Sequence, residues 1–119
     1  MGRGLVVAAV VRGDVWWVDL DPVVGHEQGR RRPAVVVSAD AFTTTGAELV
    51  IIVPLTRTDR RMVLHVRIDP PEENLSAPSF AMTEQIRTVS TLRLGSRLGA
   101  VAPPTLRRIE RRLGWLLGL

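Results

Sequence analysis

Two continuous aliphatic runs constrain the fold of this chain more than any other feature. They are PAVVVS at 33–38 and ELVIIVPLT at 48–56, and both are rich in β-branched residues. β-branched side chains favour strands, and a run without polar alternation indicates a strand that is covered on both faces. The chain is therefore predicted to fold around central strands of a β-sheet.

Three other segments alternate between apolar and polar residues, which indicates strands with one solvated face. These segments are 12–22, 62–68 and 79–90. The alternation predicts that His65 faces outward in the second segment. In the third segment it predicts that Glu84 lies on an otherwise apolar strand face, where a carboxylate needs a partner.

The segments between these strands have the composition of loops. GHEQGRRR at 25–32 has two glycines and no apolar side chain, so an exposed, mobile loop is expected before a strand that begins at Pro33. The segment 39–46 is predicted to be a short helical turn or a loop. The proline-rich segment 69–78 is predicted to be a loop.

The C-terminal segment has a helical rather than a strand period. One apolar stripe is formed by Leu106, Ile109, Leu113, Leu116 and Leu117. Prolines are tolerated in the first turn of a helix, and two of them occur at 103–104. About five or six strands and one helix are therefore predicted, which together indicate a small closed barrel.

The chain length fits one domain. At 119 residues, we expect an N-terminal extension over 1–11 that leads into the first strand and a single domain over 12–119. The apolar stretch 5–11 is too short to span a bilayer, so no membrane association is expected. With no cysteine and two histidines, neither a disulfide nor a zinc centre is expected, and a cytoplasmic location fits.

All 16 basic residues are arginine, and the formal net charge is +4. A guanidinium group matches two phosphate oxygens or a guanine edge and also stacks on bases, so a polyanionic partner such as RNA is one explanation. The codon composition of a GC-rich genome is the other.

Four motifs and the C-terminal helix follow one another in a known order. RGDVWWVDLDP, GHEQGRRRPAVVVS, VPLT and EQIRT resemble the MazF/PemK family of toxins from type II toxin–antitoxin systems. The resemblance covers nearly the whole chain from Arg12. It implies a mainly β fold, the SH3-like β-barrel of the MazF, PemK and CcdB toxins, with a C-terminal α-helix.

The resemblance also implies an activity. The family's homodimers are sequence-specific endoribonucleases that cleave single-stranded RNA without a metal or cofactor. The 2′-hydroxyl attacks the adjacent phosphorus and leaves a 2′,3′-cyclic phosphate and a 5′-hydroxyl, so that translation and growth are inhibited. A cognate antitoxin with an acidic C-terminal tail occupies the RNA groove. Messenger, transfer and ribosomal RNA all remain open as the target.

Two other functions remain open on the same fold. One is a toxin that inhibits gyrase, and the other is an RNA-binding barrel without catalysis. The E-Q-x-x-x-R-P loop that precedes a buried strand favours the ribonuclease. In this sequence the loop contains Glu27, Gln28, Arg32 and Pro33.

Three residues are candidates for catalysis. The family associates activity with an arginine that matches Arg32 and a threonine that matches Thr56. A side chain with a pKa above about 12 is a poor base, so Arg32 is expected to stabilise the pentavalent phosphate, and Thr56 to hold a phosphate oxygen or the 2′-hydroxyl. Alternatively, Arg32 forms an ion pair with a carboxylate, and the hydroxyl of Thr56 only satisfies backbone groups at a strand end. Glu27 matches a loop glutamate that some relatives require as a base, although acidic loop residues are usually only solvated.

A further set of residues is expected to contact RNA: His26, Gln28, Arg30, Arg31, Glu84, Gln85 and Arg87. Arg30 and Arg31 would neutralise flanking phosphates, unless they form only a solvated run of charge. Histidine is a residue type suited to proton transfer, but most lone loop histidines such as His26 have no such role.

Two positions require separate treatment. Some relatives use an arginine and an acid at the positions of Met82 and Glu84, but methionine cannot replace that arginine, so Glu84 is instead expected to brace Arg32 or Arg87. Trp16 and Trp17 could stack on bases, yet a strand tryptophan in a small barrel usually lies in the core or at a dimer interface.

Overall fold

The computed structural model describes residues 9–21, 24–26, 30–70, 72 and 75–119. It confirms the predicted class, a mainly β fold with a C-terminal helix. The strands are β1 (Asp14–Asp19), β2 (Arg31–Val36), β3 (Leu49–Thr56), β4 (His65–Ile68), β5 (Ser79–Met82), β6 (Arg87–Ser90) and β7 (Leu94–Ala100). The helices are α1 (Asp40–Thr43) and α2 (Pro103–Leu117), and two 3-10 turns cover Thr83–Gln85 and Thr91–Arg93.

Strand β3 is the centre of the sheet. The strand order is β4-β5-β3-β2-β1-β7, with β6 also paired to β3, and these pairings between the described strands are antiparallel. Within the part of the chain that the structure describes, this path ends at β4 and at β7. The sheet is therefore open, whereas the strand count had indicated a closed barrel.

Two hydrophobic clusters confirm that the continuous aliphatic runs are covered on both faces. In β2, Val35 belongs to one cluster and Val36 to the other, and in β3, Val53 and Ile52 divide in the same way. Side chains alternate between the two faces of a strand. Most apolar residues of both runs are therefore covered, on both sides of the sheet, and Leu49 at the start of β3 is the exposed exception.

The predicted strand over 79–90 is interrupted. Leu55 of β3 faces Ala81 of β5, whereas Ile52 faces Arg87 of β6, so the register shifts between the two pairings. The 3-10 turn Thr83–Gln85 takes up the extra length. The expectation that Glu84 lies on a strand face was therefore wrong.

Other predictions also need correction. Strand β2 begins at Arg31 rather than at Pro33, because its first residues continue the pairing with β1. His65 was expected to face outward but is buried. Strand β7 was not predicted at all, since its half-exposed, glycine-containing sequence has no clear period. The described part of the expected loop 69–78 contains no strand.

Helix α2 packs against β4 and the first 3-10 turn. Ile109 is fully buried, and Leu106 and Leu113 pack against the core, but Leu116 and Leu117 are exposed. Both prolines occupy the first turn of α2, as predicted. Among the described residues, no helix has the length and apolarity that crossing a membrane requires.

Candidate active site

A groove of about 360 Å³ lies where β2 begins and β3 ends. The residues that line it come from several strands and from the segments that follow them. They are Trp17, Arg30, Arg31, Arg32, Pro33, Leu55, Thr56, Arg57, Leu75, Ser76, Ser79 and Leu98. Four of the twelve described lining residues are arginines and none is acidic. The groove is therefore suited to an anionic ligand.

Arg32 and Thr56 both line this groove. The pairing of β2 with β3 sets Ala34 opposite Pro54, and Arg32 and Thr56 each lie two residues beyond that pair, so they belong to the same face of the sheet. Directly opposed residues share a face of an antiparallel pair. The Arg32 Nη1 group also donates a hydrogen bond of 3.3 Å to the carbonyl oxygen of Leu55, which holds the guanidinium group beside the end of β3.

The hydroxyl of Thr56 is held as well. The residue is buried, and its Oγ1 atom accepts a hydrogen bond of 3.2 Å from the backbone N–H of Thr58. A threonine hydroxyl has one donor and two acceptor positions, so this bond does not exhaust it. The hydroxyl is therefore fixed in place and can still donate to an oxygen atom.

Positive charge is concentrated around Arg32. Burial lowers the pKa of Arg32 below its ordinary value, and the charges of Arg60 and Arg30 lower it further. An arginine starts from so high a pKa that it remains a cation at neutral pH. An anion bound here would relieve the repulsion among these guanidinium groups, which favours binding.

The groove extends around the end of the sheet. Trp17 pairs with Pro33, and Asp19 pairs with Arg31, so Trp17, Arg31 and Pro33 share one face. Arg32 and Thr56 belong to the opposite face because side chains alternate along a strand. All five residues line the same groove. A ligand in the groove therefore meets groups from both faces of the sheet.

The structure brings only some of the predicted RNA-contacting residues to the groove. Arg30 and Arg31 line it, and the backbone N–H of Arg30 donates to Asp21 at 2.7 Å. His26 is exposed and is not a lining residue. Glu27 and Gln28, which include the candidate base, lie outside the described residues.

Glu84, Gln85 and Arg87 are not among the residues that line the groove. The expectation that Glu84 braces Arg32 or Arg87 was wrong, because its carboxylate lies 3.0 Å from Nε2 of His65. This pair joins the 3-10 turn to β4. Buried atoms of His65, Glu84 and Arg87 have no hydrogen-bond partner among the described residues.

Sequence reasoning missed two arginines. Arg57 lines the groove directly after Thr56, and its Nη2 atom donates to Oγ of Ser76 at 3.1 Å. Arg60 is close enough to Arg32 to lower its pKa. The basic segment TRTDRR at 56–61 was the available signal. Its contribution could not be assigned without knowing that β3 ends beside β2.

The two neighbouring tryptophans have different environments. Trp16 is buried, and its indole N–H donates to Oδ2 of Asp14 at 3.2 Å, so it is a core residue as expected. Trp17 is half-buried and lines the groove. The guanidinium carbon of Arg31 lies 5.4 Å from the centroid of the Trp17 ring.

The fold is a small antiparallel sheet with a C-terminal helix, and an arginine-lined groove lies at its strand ends. Residues 11–117 match the family described as PemK-like, MazF-like toxin of type II toxin–antitoxin system. The chain belongs to this family. None of the residues that the structure describes form a trio of His, Cys, Asp or Glu side chains placed to hold a metal ion.

Individual relatives agree with this assignment. The chain is 35% identical over 107 residues to "Endoribonuclease MazF9" of Mycobacterium tuberculosis, covering 86% of this chain and 91% of the relative. It is similar to the crystal structure of MazF from Deinococcus radiodurans, with a TM-score of 0.83, 26% identity and coverage of 95% and 100% of the two chains. A mycobacterial endoribonuclease in complex with its cognate antitoxin matches with a TM-score of 0.74, 27% identity and coverage of 95% and 97%.

Proposed function

We propose that this chain is the endoribonuclease toxin of a type II toxin–antitoxin system and that it cleaves single-stranded RNA in the groove at the ends of β2 and β3. The observation that carries the proposal is that Arg32 and Thr56 line one groove together with three other arginines. The similarity to a curated endoribonuclease over most of both chains supports the same activity.

The reaction that these groups can perform is attack of the 2′-hydroxyl oxygen on the adjacent phosphorus. The new O–P bond forms as the bond between phosphorus and the 5′-oxygen breaks, which gives a 2′,3′-cyclic phosphate and a 5′-hydroxyl. The 2′-hydroxyl proton passes to a base, and the departing 5′-oxygen receives a proton. No metal takes part in the proposed reaction.

Arg32 has the role of stabilising the pentavalent phosphate, because a fixed positive charge stabilises most strongly the state in which negative charge develops. Its bond to Leu55 holds the guanidinium group in position before the substrate arrives. Thr56 donates its hydroxyl to a phosphate oxygen or orients the 2′-hydroxyl. Glu27 is the proposed base, by its match to a glutamate that some relatives require.

The partners of the protein follow from the same groove. We propose that a cognate antitoxin binds with an acidic C-terminal tail, since the described lining is positively charged. The antitoxin complex of the mycobacterial relative supports such a partner. A homodimer and a cytoplasmic location complete the proposal, and both rest on the family resemblance.

The test uses a pool of mixed-sequence single-stranded RNA in excess EDTA. The wild type, Arg32→Ala and a control, Arg111→Ala, are compared, since Arg111 is exposed on α2 and carries the same charge away from the groove. The wild type and the control should give discrete fragments with cyclic phosphate and 5′-hydroxyl ends. Arg32→Ala should be slower by about 10²- to 10³-fold.

Three outcomes would overturn the proposal. Cleavage by Arg32→Ala at the wild-type rate would show that the groove around Arg32 is not the active site. Binding without products would indicate an RNA-binding barrel without catalysis. Intact RNA together with DNA breaks that appear only in the presence of gyrase would indicate a gyrase toxin.

A further inference from the structure

Trp17 has a different environment from Trp16, the other aromatic residue of β1. Its neighbour Trp16 is buried in the core, whereas Trp17 is half-buried and lines the groove. An indole ring has a large apolar face, and stacking this face on another flat group is energetically favourable. In an arginine-lined groove, such a ring provides a contact that charge alone does not.

Arg31 and Gly95 define the space over this ring. The guanidinium group of Arg31 lies within the range of a cation–π contact, at 5.4 Å from the ring centroid. A Cβ atom at Gly95 would lie 3.0 Å from Nη2 of Arg31 and 3.4 Å from Cβ of Trp17. The glycine in β7 therefore leaves room for the arginine to lie against the indole. Three strands thus build one flat, cationic surface.

This surface and the side chains of Arg32 and Thr56 line one groove from opposite faces of the sheet. Trp17 and Arg31 belong to one face of the sheet and Arg32 and Thr56 to the other, and the groove joins the two faces. In an unpaired RNA strand, the base can point away from its phosphate. A nucleotide that crosses the end of the sheet can therefore present its phosphate to one pair and its base to the other.

We propose that Trp17 and Arg31 form the stacking surface for one nucleobase next to the cleaved phosphodiester, and that this contact contributes to substrate selection. The inference rests on the proposed function and adds a residue pair to it. Both an indole ring and a guanidinium plane stack on bases, and such stacking accepts every base with different strength. Because Arg31 is exposed, it can move to cover the base or to contact a phosphate.

The experiment measures equilibrium binding of a short single-stranded RNA that contains the mapped cleavage sequence. The nucleotide at the cleaved bond carries a 2′-deoxy sugar, so the RNA binds without being cut. Trp17→Leu should bind at least about tenfold more weakly than the wild type, and Trp17→Phe should remain within about threefold. Thermal unfolding of each variant reports whether the fold is kept.

A set of RNAs with one abasic position each then distinguishes stacking from a structural role. At one position next to the cleaved bond, removing the base should weaken RNA binding by the wild type. The same change should not further weaken RNA binding by Trp17→Leu. Such coupling is expected only if the two groups are in contact. Arg31→Ala repeats the cycle in a variant that changes only an exposed side chain, and so keeps the test valid if Trp17→Leu does not fold.

The outcomes separate this inference from the proposed function. If the wild type neither cleaves nor binds single-stranded RNA, both fail. If it cleaves RNA and no abasic position is coupled to Trp17 or Arg31, the stacking surface alone is refuted. Loss of binding only to an acidic antitoxin peptide, with RNA binding unchanged, would also overturn it and would assign the surface to the protein partner.

Discussion

Replacing Arg32 with lysine tests the electrostatics of the groove in a chain that is unusually well suited to the measurement. The sequence contains no lysine, no cysteine and no tyrosine. The introduced lysine would therefore be the only side chain whose ordinary pKa lies between about 8 and 11. A titration in that range that the variant shows and the wild type lacks can therefore be assigned to one position.

The environment of Arg32 predicts the direction of that titration. Burial, Arg60 and Arg30 lower the pKa of Arg32, in that order, and the same three causes act on a lysine. The pKa of the introduced lysine in the folded protein should therefore lie below the ordinary value of about 10.4. The wild-type arginine stays charged throughout this range.

Activity and stability should then change in opposite directions as the pH rises. The proposed reaction uses the cation at position 32, so the rate of Arg32→Lys should fall as the pH passes the lowered pKa of the folded state. In the same range the unfolded chain still holds its proton and binds more protons than the folded chain, so the free energy of unfolding should rise with pH. Each pKa unit of lowering corresponds to about 1.36 kcal/mol.

The assay is the initial rate of RNA cleavage between pH 7 and pH 10, corrected for alkaline hydrolysis and paired with urea denaturation. At pH 7 the variant should be slower by about 10- to 100-fold, because an ammonium group cannot contact both Leu55 and the phosphate as a guanidinium group can. Adding Arg60→Gln should move the decline to higher pH. A pH profile parallel to that of the wild type, or stability that falls through this range, would refute the reasoning.

Two other predictions concern the core and the hydroxyl group. Ile109→Ala should lower the free energy of unfolding by about 3 kcal/mol because Ile109 is fully buried, whereas Leu117→Ala, at an exposed position of the same helix, should cost under about 1 kcal/mol. Urea denaturation at one protein concentration measures both, and equal losses would contradict the packing of α2. Thr56→Ser should keep most of the activity, and Thr56→Val should lose about 10²-fold or more in single-turnover cleavage, since only serine retains the hydroxyl that Thr58 contacts. An active valine variant would exclude a role for that hydroxyl.

The central strands could be predicted because the local sequence, a continuous aliphatic run, indicates their burial. Every second residue of a strand faces the same side, so a continuous aliphatic run requires cover on both sides, as β2 and β3 have. Strand β7 could not be predicted in this way. Its sequence is half-exposed and contains glycine, and it becomes a strand through its pairing with β1.

The candidate site was predictable in part. The family motifs singled out Arg32 and Thr56 as candidates, and both line the groove. The same motifs did not reveal that Arg57 lines the groove or that Trp17 differs from Trp16 in exposure. These properties depend on where strands end relative to one another, which no local pattern records.

The sequence by itself determined that 33–38 and 48–56 contain the buried central strands, that a helix follows at the C-terminal end and that the strongly basic side chains are all arginine. Only the tertiary structure decided that Glu84 pairs with His65 and that Arg30 and Arg60 act together on Arg32. The physical reason is that periodicity and side-chain chemistry are local properties. Register, and the repulsion or contact between residues far apart in the chain, arise only when strands pair and loops close around them.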